Sequence, residues 1–257
     1  LEFMNRAHNR QEALNCVSQA LKAGFSDLSL DLIYGIPLRG EGQENLDPHW
    51  VWKEDVAKIL ALRPNHLSAY CLTIEPQTVF GRWAEQRKLR PIDEELAAQQ
   101  FEYLLEETGK AGYEQYEISN LCLPGHYSRH NSSYWQGIPY LGVGPSAHSF
   151  NGHSRQFNVR NNARYLKALQ QGRLPCEQEQ LTRQDQINEY LMTALRTKWG
   201  IDLDRLKNEW RFDLRKERGG VWKRHLKLGN LYEEGSRAFL TTSGKLLADQ
   251  ITVELMC

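Results

Sequence analysis

Leu28-Ser-Leu-Asp-Leu-Ile33 and His66-Leu-Ser-Ala-Tyr-Cys-Leu-Thr73 are the two segments whose reading decides the fold. Each is a short apolar run closed by breakers, Gly35 and Pro37 after the first and Glu75-Pro76 after the second, and each reads as a buried strand. Between them, residues 49–62 place Trp52, Val56, Ile59 and Leu60 at helical spacing and stop before Pro64. Ahead of the first strand, Leu14, Val17 and Leu21 mark a helix over 10–23 that Gly24 ends. Beyond the second, residues 93–110 carry Leu96, Phe101, Leu104, Leu105 and Thr108 on one helix face; Gly112 closes it, and 113–118 read as a third strand. Alternation of this kind with short connections predicts a parallel sheet, because a helix must return the chain to the same edge. A doubly wound sheet and a (βα) barrel both satisfy the pattern, and both seat ligands at the carboxyl ends of strands. That rule singles out Asp31 with the Tyr34-Gly-Ile-Pro37 turn, Thr73 with Glu75, and Glu117 with Ser119.

Residues 120–160 are rich in His, Asn, Ser, Tyr and Gly and carry no helical period, which predicts a long functional loop or lid. The pattern then becomes mainly helical. Thr182 and Asp185 form a capping-box pair ahead of the stripe Ile187, Tyr190, Leu191, Ala194 and Leu195, Gly200 stops that helix, and Asp202 caps a second. Two short strands near 231–232 and 238–240 and a helix from about Ser243 complete a winged-helix-like pattern. The expected organisation is an α/β part over 1–175, including the lid, and a helical domain over 176–257.

The chain has 257 residues, with Lys+Arg 32 against Asp+Glu 32, so no net field gathers nucleic acid or an acidic membrane surface. Gly 19 and Pro 9 are too few for a low-complexity chain. No apolar run reaches the ~18–20 residues of a membrane span. The opening Leu-Glu-Phe-Met-Asn-Arg lacks a basic then apolar leader. Cys16, Cys71, Cys122, Cys176 and Cys257 are odd in number and widely spaced, which argues against a disulfide framework and against a C-x2-C zinc site. A soluble cytoplasmic protein is expected.

Asp31 stands in an otherwise apolar strand, where a carboxylate either accepts hydrogen bonds from a ligand or faces solvent or a basic partner. Residues 129–135 gather His130, Asn131, Tyr134 and Trp135: an imidazole beside flat rings with polar tips suits a planar aromatic ligand, and equally suits a lid pinned by buried aromatics. Gly142-Val-Gly-Pro-Ser-Ala147 matches a dinucleotide fingerprint on paper, but no acidic residue follows at 160–168 and no helix opens, so its glycines read as tight-turn or close-approach positions. The basic segment 211–227 reads as a solvated helix face, with a nucleic-acid-binding wing as the remote alternative.

Asn5-Arg-Ala-His8, Asp31-Leu-Ile-Tyr-Gly-Ile-Pro37, His66-Leu-Ser-Ala-Tyr70, Thr73-Ile-Glu-Pro-Gln-Thr78, Tyr116-Glu-Ile-Ser-Asn120, His130-Asn-Ser-Ser-Tyr-Trp135 and Gly142-Val-Gly-Pro-Ser-Ala-His-Ser149 occur in this order over most of the chain. Together they resemble the oxygen-independent coproporphyrinogen III oxidase family of radical S-adenosylmethionine (SAM) proteins, and the His-Asn-x-x-Tyr-Trp element is similar to its haem-chaperone branch. The resemblance implies the C-terminal part of a partial (βα) barrel followed by the helical domain. It implies SAM contacts at Arg6, Asp31, Thr73 and His148, and haem contacts at His130, Tyr134 and Trp135, with a neutral imidazole a suitable iron ligand. It implies binding of haem and SAM and delivery of haem to acceptor proteins, with anaerobic oxidative decarboxylation of coproporphyrinogen III as the alternative.

The family's [4Fe–4S] cluster is held by a C-x3-C-x2-C motif that this sequence lacks. The chain is therefore expected to be a C-terminal portion that cannot assemble the cluster or cleave SAM alone. A half-barrel of this kind leaves an open strand edge, which a second copy would cover as a homodimer.

Overall fold

The computed structural model describes all residues except 2, 3, 5, 38–46 and 90, so Asn5 of the first motif lies outside the described residues. The chain divides into two compact units, Leu1–Tyr127 and Ser128–Cys257.

The first unit opens with α1 (Arg10–Lys22), whose capping box is made by Asn9 and Glu12, each side chain accepting the other's backbone N–H. Next come β1 (Ser29–Tyr34), α2 (Pro48–Leu62) and β2 (His66–Cys71). Pro48 occupies the first turn of α2, where its missing N–H costs nothing, and Asp47 caps that turn. β1 and β2 pair in parallel, from Ser29 opposite His66 to Tyr34 opposite Cys71. α3 (Val79–Glu85), α4 (Glu94–Lys110), β3 (Glu114–Glu117) and β4 (Asn120–Cys122) follow.

Here the sheet departs from the expected all-parallel arrangement. Its order is β1-β2-β4-β3, with β4 antiparallel to both neighbours. The cause is a tight turn after β3. The Glu117 carboxylate accepts the Ser119 N–H at 2.9 Å and the Asn120 side-chain amide at 2.5 Å, folding the chain back so that β4 wedges beside β2. β1, β2 and β3 still run in one direction.

Tyr34, Trp52, Val56, Ile59, Leu67, Ala69, Phe101, Leu104 and Leu121 form the core of this unit, with Leu30 and Leu32 packed against it. Strand period 2 therefore turns Leu30, Leu32 and Tyr34 toward α2 and α4, and turns Ser29, Asp31 and Ile33 to the other face of the sheet.

The second unit begins with α5 (Arg129–Trp135), β5 (His148–Phe150), β6 (Ser154–Asn158), α6 (Asn162–Gln170) and β7 (Cys176–Gln180). The three strands form an antiparallel sheet in the order β5-β6-β7. Residues 120–160 are thus not the structureless lid their composition suggests. The elements inside that stretch are three to seven residues long, too short to print a period. The border between units also differs from the expected position near 175: β6 and β7 pair across it, Asn158 opposite Cys176, and the units divide at Tyr127 and Ser128 instead.

The remainder is α7 (Arg183–Leu195), β8 (Ile201–Asp202), α8 (Leu203–Trp210), α9 (Leu214–Glu217), α10 (Gly219–Lys227), β9 (Leu231–Glu234), β10 (Arg237–Leu240), α11 (Thr242–Leu246) and α12 (Ala248–Leu255). The Thr182–Asp185 capping box and the Asp202 cap both form. β8, β10 and β9 make a small antiparallel sheet over a core of Ile187, Leu191, Leu195, Ile201, Leu206, Leu214, Ile251 and Leu255. Within the basic segment, Arg215 pairs with Glu233 at 2.9 Å and Arg224 pairs with Glu254, so these cations answer carboxylates of their own fold.

Candidate functional site

On the first unit, the sheet face opposite α2 and α4 is polar. Parallel register sets Ser29 beside His66, Asp31 beside Ser68 and Ile33 beside Tyr70. The buried His66 ring bridges Ser29 Oγ and the Tyr116 hydroxyl, both at 2.8 Å, and burial lowers its pKa against the smaller opposing pull of Asp31 and Asp27. Asp31 itself is exposed on this face. Among the described residues no hydrogen bond or ion pair engages its carboxylate, which can accept hydrogen bonds from hydroxyl or amino groups.

At the carboxyl end of β1, Gly35 turns with φ +68°, and an added Cβ would stand 3.0 Å from Cys71 Sγ. Thr73 is exposed after β2, and Arg6 is exposed ahead of α1. Among the described residues no hydrogen bond or ion pair joins the side chains of Arg6, Asp31 and Thr73 to one another. Glu117, also singled out from sequence, is buried and spends its carboxylate on the β3–β4 turn.

On the second unit, Ser128 Oγ accepts the Asn131 N–H and starts α5, which carries the imidazole–aromatic element. Helical spacing sets His130 and Tyr134 one turn apart, their rings edge-on with centroids 4.9 Å apart. Tyr134 stands edge-on to Tyr140 at 4.7 Å, and Tyr140 lies 6.1 Å from Phe150, to which its backbone is bridged. Tyr134, Trp135, Tyr140 and Phe150 form one wall of a cleft of about 680 Å³. Tyr190 and Trp210, 5.4 Å apart, form another, with the Arg205 guanidinium over both rings. Arg155 reaches Glu189 at 3.0 Å in the same cleft, where burial raises the Glu189 pKa and Arg155 opposes the shift. A cleft of this volume with aromatic walls and a few charged groups is the usual form of a small-molecule site.

His130 is exposed and touches the cleft through Tyr134 rather than lining it. The imidazole among the lining residues is His153, which the sequence reading did not single out. His148 is exposed at the start of β5, its ring 5.7 Å from Phe157. Gly142 is a close-approach position as expected, but against protein: a Cβ there would meet the His148 carbonyl oxygen at 2.1 Å.

Arg155, Glu189, Tyr190, Arg205 and Trp210 were also missed as site residues. Tyr190 was visible only as part of an apolar stripe, and no local signal ties the others together. Arg6, Asp31 and Thr73 belong to the first unit, and His130, Tyr134, Trp135 and His148 to the second. Among the described residues no group of three or more His, Cys, Asp or Glu could hold a metal ion, and Cys16, Cys71, Cys176 and Cys257 are free thiols.

No family model matches the chain. It is 31% identical over 255 residues to "Heme chaperone HemW" of Lactococcus lactis, covering 98% of this chain and 64% of that protein. It is 33% identical over 257 residues to the protein of the same name in Mycobacterium tuberculosis H37Rv, covering 100% and 62%. The mouse "Radical S-adenosyl methionine domain-containing protein 1, mitochondrial" is 30% identical over 212 residues, covering 78% and 46%. Among solved structures, coproporphyrinogen III oxidase (HemN) of Escherichia coli, described as a radical SAM enzyme, superposes with a TM-score of 0.72 at 17% identity, over 98% of this chain and 60% of that one. The chain spans a little under two thirds of the length of the curated chaperones it matches.

Proposed function

We propose that the chain belongs with the haem chaperones among the coproporphyrinogen III oxidase-like radical SAM proteins, and that the protein it is part of binds haem and SAM and hands haem to acceptor proteins. The observation that carries the proposal is the α5 element: an exposed His130 imidazole edge-on to Tyr134, with Tyr134 and Trp135 on the wall of an aromatic cleft. His130 offers a nitrogen for haem iron, and Tyr134 and Trp135 offer flat faces for the porphyrin. Asp31 accepts from hydroxyl or amino groups of SAM, and Arg6 and Thr73 of the same unit add polar contacts to it.

The [4Fe–4S] cluster that the family implies does not fit this chain. Its five cysteines are dispersed over both units and none is part of a C-x3-C-x2-C motif, so no step through a cluster is derived. In the fold we propose, β1, β2 and β3 with α2 and α4 are part of a (βα) barrel, and α7 to α12 with β8 to β10 are a winged-helix-like domain. Among the described residues β1 is the edge strand of its sheet, and its open side suits a second copy in a homodimer. The compartment we propose is the cytoplasm, in keeping with the free thiols of Cys16, Cys71, Cys176 and Cys257.

Titration of the chain with haemin, followed by the Soret band, tests the central reading. A saturable Soret shift is expected, and His130→Ala should lose the spectrum of an imidazole-ligated iron. An unchanged spectrum in that variant removes His130 as ligand, and an absence of saturable binding in the wild type removes the haem assignment.

A further inference from the structure

We propose that the cleft of the second unit selects a flat, apolar ring system bearing carboxylates, with Arg155 and Arg205 as the residues that take them; this rests on haem, a dicarboxylate, being the ligand. The walls account for the ring. Trp135, Tyr140, Phe150, Tyr190 and Trp210 all line the cleft and bring aromatic rings to it, with the Arg205 guanidinium over one side of Tyr190 and Trp210.

The polar inventory accounts for the carboxylates. The Trp135 indole N–H and the Arg155 Nε–H are both buried without an acceptor. A buried donor left unmatched is costly, and both belong to residues that line the cleft, so a ligand that brings acceptor oxygens relieves that cost when the Trp135 and Arg155 side chains turn toward it.

The charges point the same way. Arg155 meets Glu189 through one nitrogen and Arg205 meets Glu209 through Nε, each at 3.0 Å, whereas a guanidinium carries five N–H donors in a fork that matches a carboxylate. Each of the two cleft glutamates is already paired with one of these arginines, Glu189 through Oε2 and Glu209 through Oε1, so its charge is matched before a ligand arrives. An incoming anion finds open donors. Thr193 and Gln186, also in the lining, are spent within the protein, Thr193 on the Glu189 carbonyl and Gln186 on the Trp210 indole.

The test compares protoporphyrin IX with its dimethyl ester on the 257-residue chain, read by quenching of tryptophan emission. These two ligands lack iron, so imidazole ligation does not enter the comparison, and a parallel haemin titration reports on haem itself. The free acid is expected to bind at least about tenfold more tightly than the ester, and Arg155→Gln and Arg205→Gln should each shrink that preference by about tenfold.

Equal binding of acid and ester, or a preference untouched in both variants, overturns the proposal while haemin binding keeps the chaperone reading standing. No binding of haemin or of either porphyrin overturns both. Arg205 is exposed, so its substitution leaves the core intact and keeps the test valid should Arg155→Gln fail to fold.

Discussion

Gln100 on α4 and Gly35 at the exit of β1 are joined by a 2.8 Å hydrogen bond, the Gly35 N–H donating to the buried side-chain carbonyl. The same amide donates to the Pro48 carbonyl at 3.2 Å, and the Gln100 backbone carbonyl accepts the Trp52 indole N–H at 2.8 Å. One residue thus ties the strand exit and the first turns of α2 to α4, at the end of the sheet where ligands of α/β proteins sit. Gln100→Leu keeps the bulk but orphans the Gly35 N–H and the Pro48 carbonyl. A loss of about 2–4 kcal/mol in the denaturant unfolding of the first unit is expected, from the cost of two unmatched groups. A loss below 1 kcal/mol would mean that water reaches both groups.

His66 gives the first unit a pH dependence. A neutral imidazole has one donor and one acceptor, and its two hydroxyl partners, Ser29 and Tyr116, suit either tautomer. Burial lowers its pKa from the ordinary 6.5, with Asp31 and Asp27 opposing the shift. The unfolded chain therefore binds the proton more readily than the folded one. The stability His66 contributes is present above about pH 6.5 and is lost as the pH falls through the lower folded value. Urea midpoints measured from pH 8 to pH 5 should fall, and the slope below pH 6.5 should be shallower in His66→Gln. Parallel profiles for the two proteins would exclude His66 as the source.

Gly200 is fixed by both its backbone and its neighbours. Its φ is +63°, and a Cβ would stand 2.3 Å from the Ala238 carbonyl oxygen and 2.6 Å from the Phe239 ring. Gly200→Ala should cost about 3 kcal/mol or more, from left-handed strain added to overpacking, and should loosen the pairing of β8 with β10. Gly229 supplies the control. Its φ is +71° but nothing lies within 4 Å of an added Cβ, so Gly229→Ala should cost only about 1 kcal/mol. Equal melting temperatures for the two variants would mean that the backbone at 200 shifts away from Ala238 without loss.

What could be read from sequence follows from the range of the forces involved. β1, α2, β2 and α4 were legible because each is long enough to show its period and is closed by Gly, Pro or a capping residue. β4, three residues long, shows none, and its place beside β2 depends on how Glu117 bends the chain at Ser119 and Asn120. The candidate site divides in the same way. His130 and Tyr134 were legible as an imidazole–aromatic group by composition, and they meet because they are one helical turn apart on α5, a helix too short to show its period in the sequence. Arg155 and Glu189 meet because β6 packs near α7, and a pairing so distant in sequence leaves no local mark. Tyr190 sat in the α7 stripe and read as core. Its ring instead faces the cleft, while its hydroxyl accepts the Asp202 N–H at 2.7 Å.

Ser128 links helix capping to ligand binding. α5 has seven residues, too few to hold a helix by propensity alone, so its first turn depends on side-chain capping and packing. Ser128 Oγ accepts the Asn131 N–H at 3.2 Å, and Ser128→Ala removes that acceptor at a cost of about 1 kcal/mol. The loss falls on the turn that carries His130 and, one turn on, Tyr134. Amide exchange in residues 130–136 should therefore quicken, while exchange in α7 stays as in the wild type. Haemin should bind roughly fivefold more weakly if about 1 kcal/mol of ordering is transferred to the binding step. Ser128→Asp restores an acceptor and adds a charge favourable at a helix N-terminus, so it should recover both exchange and affinity. If affinity drops in Ser128→Ala without faster exchange in α5, the serine contacts the ligand directly and the capping argument fails.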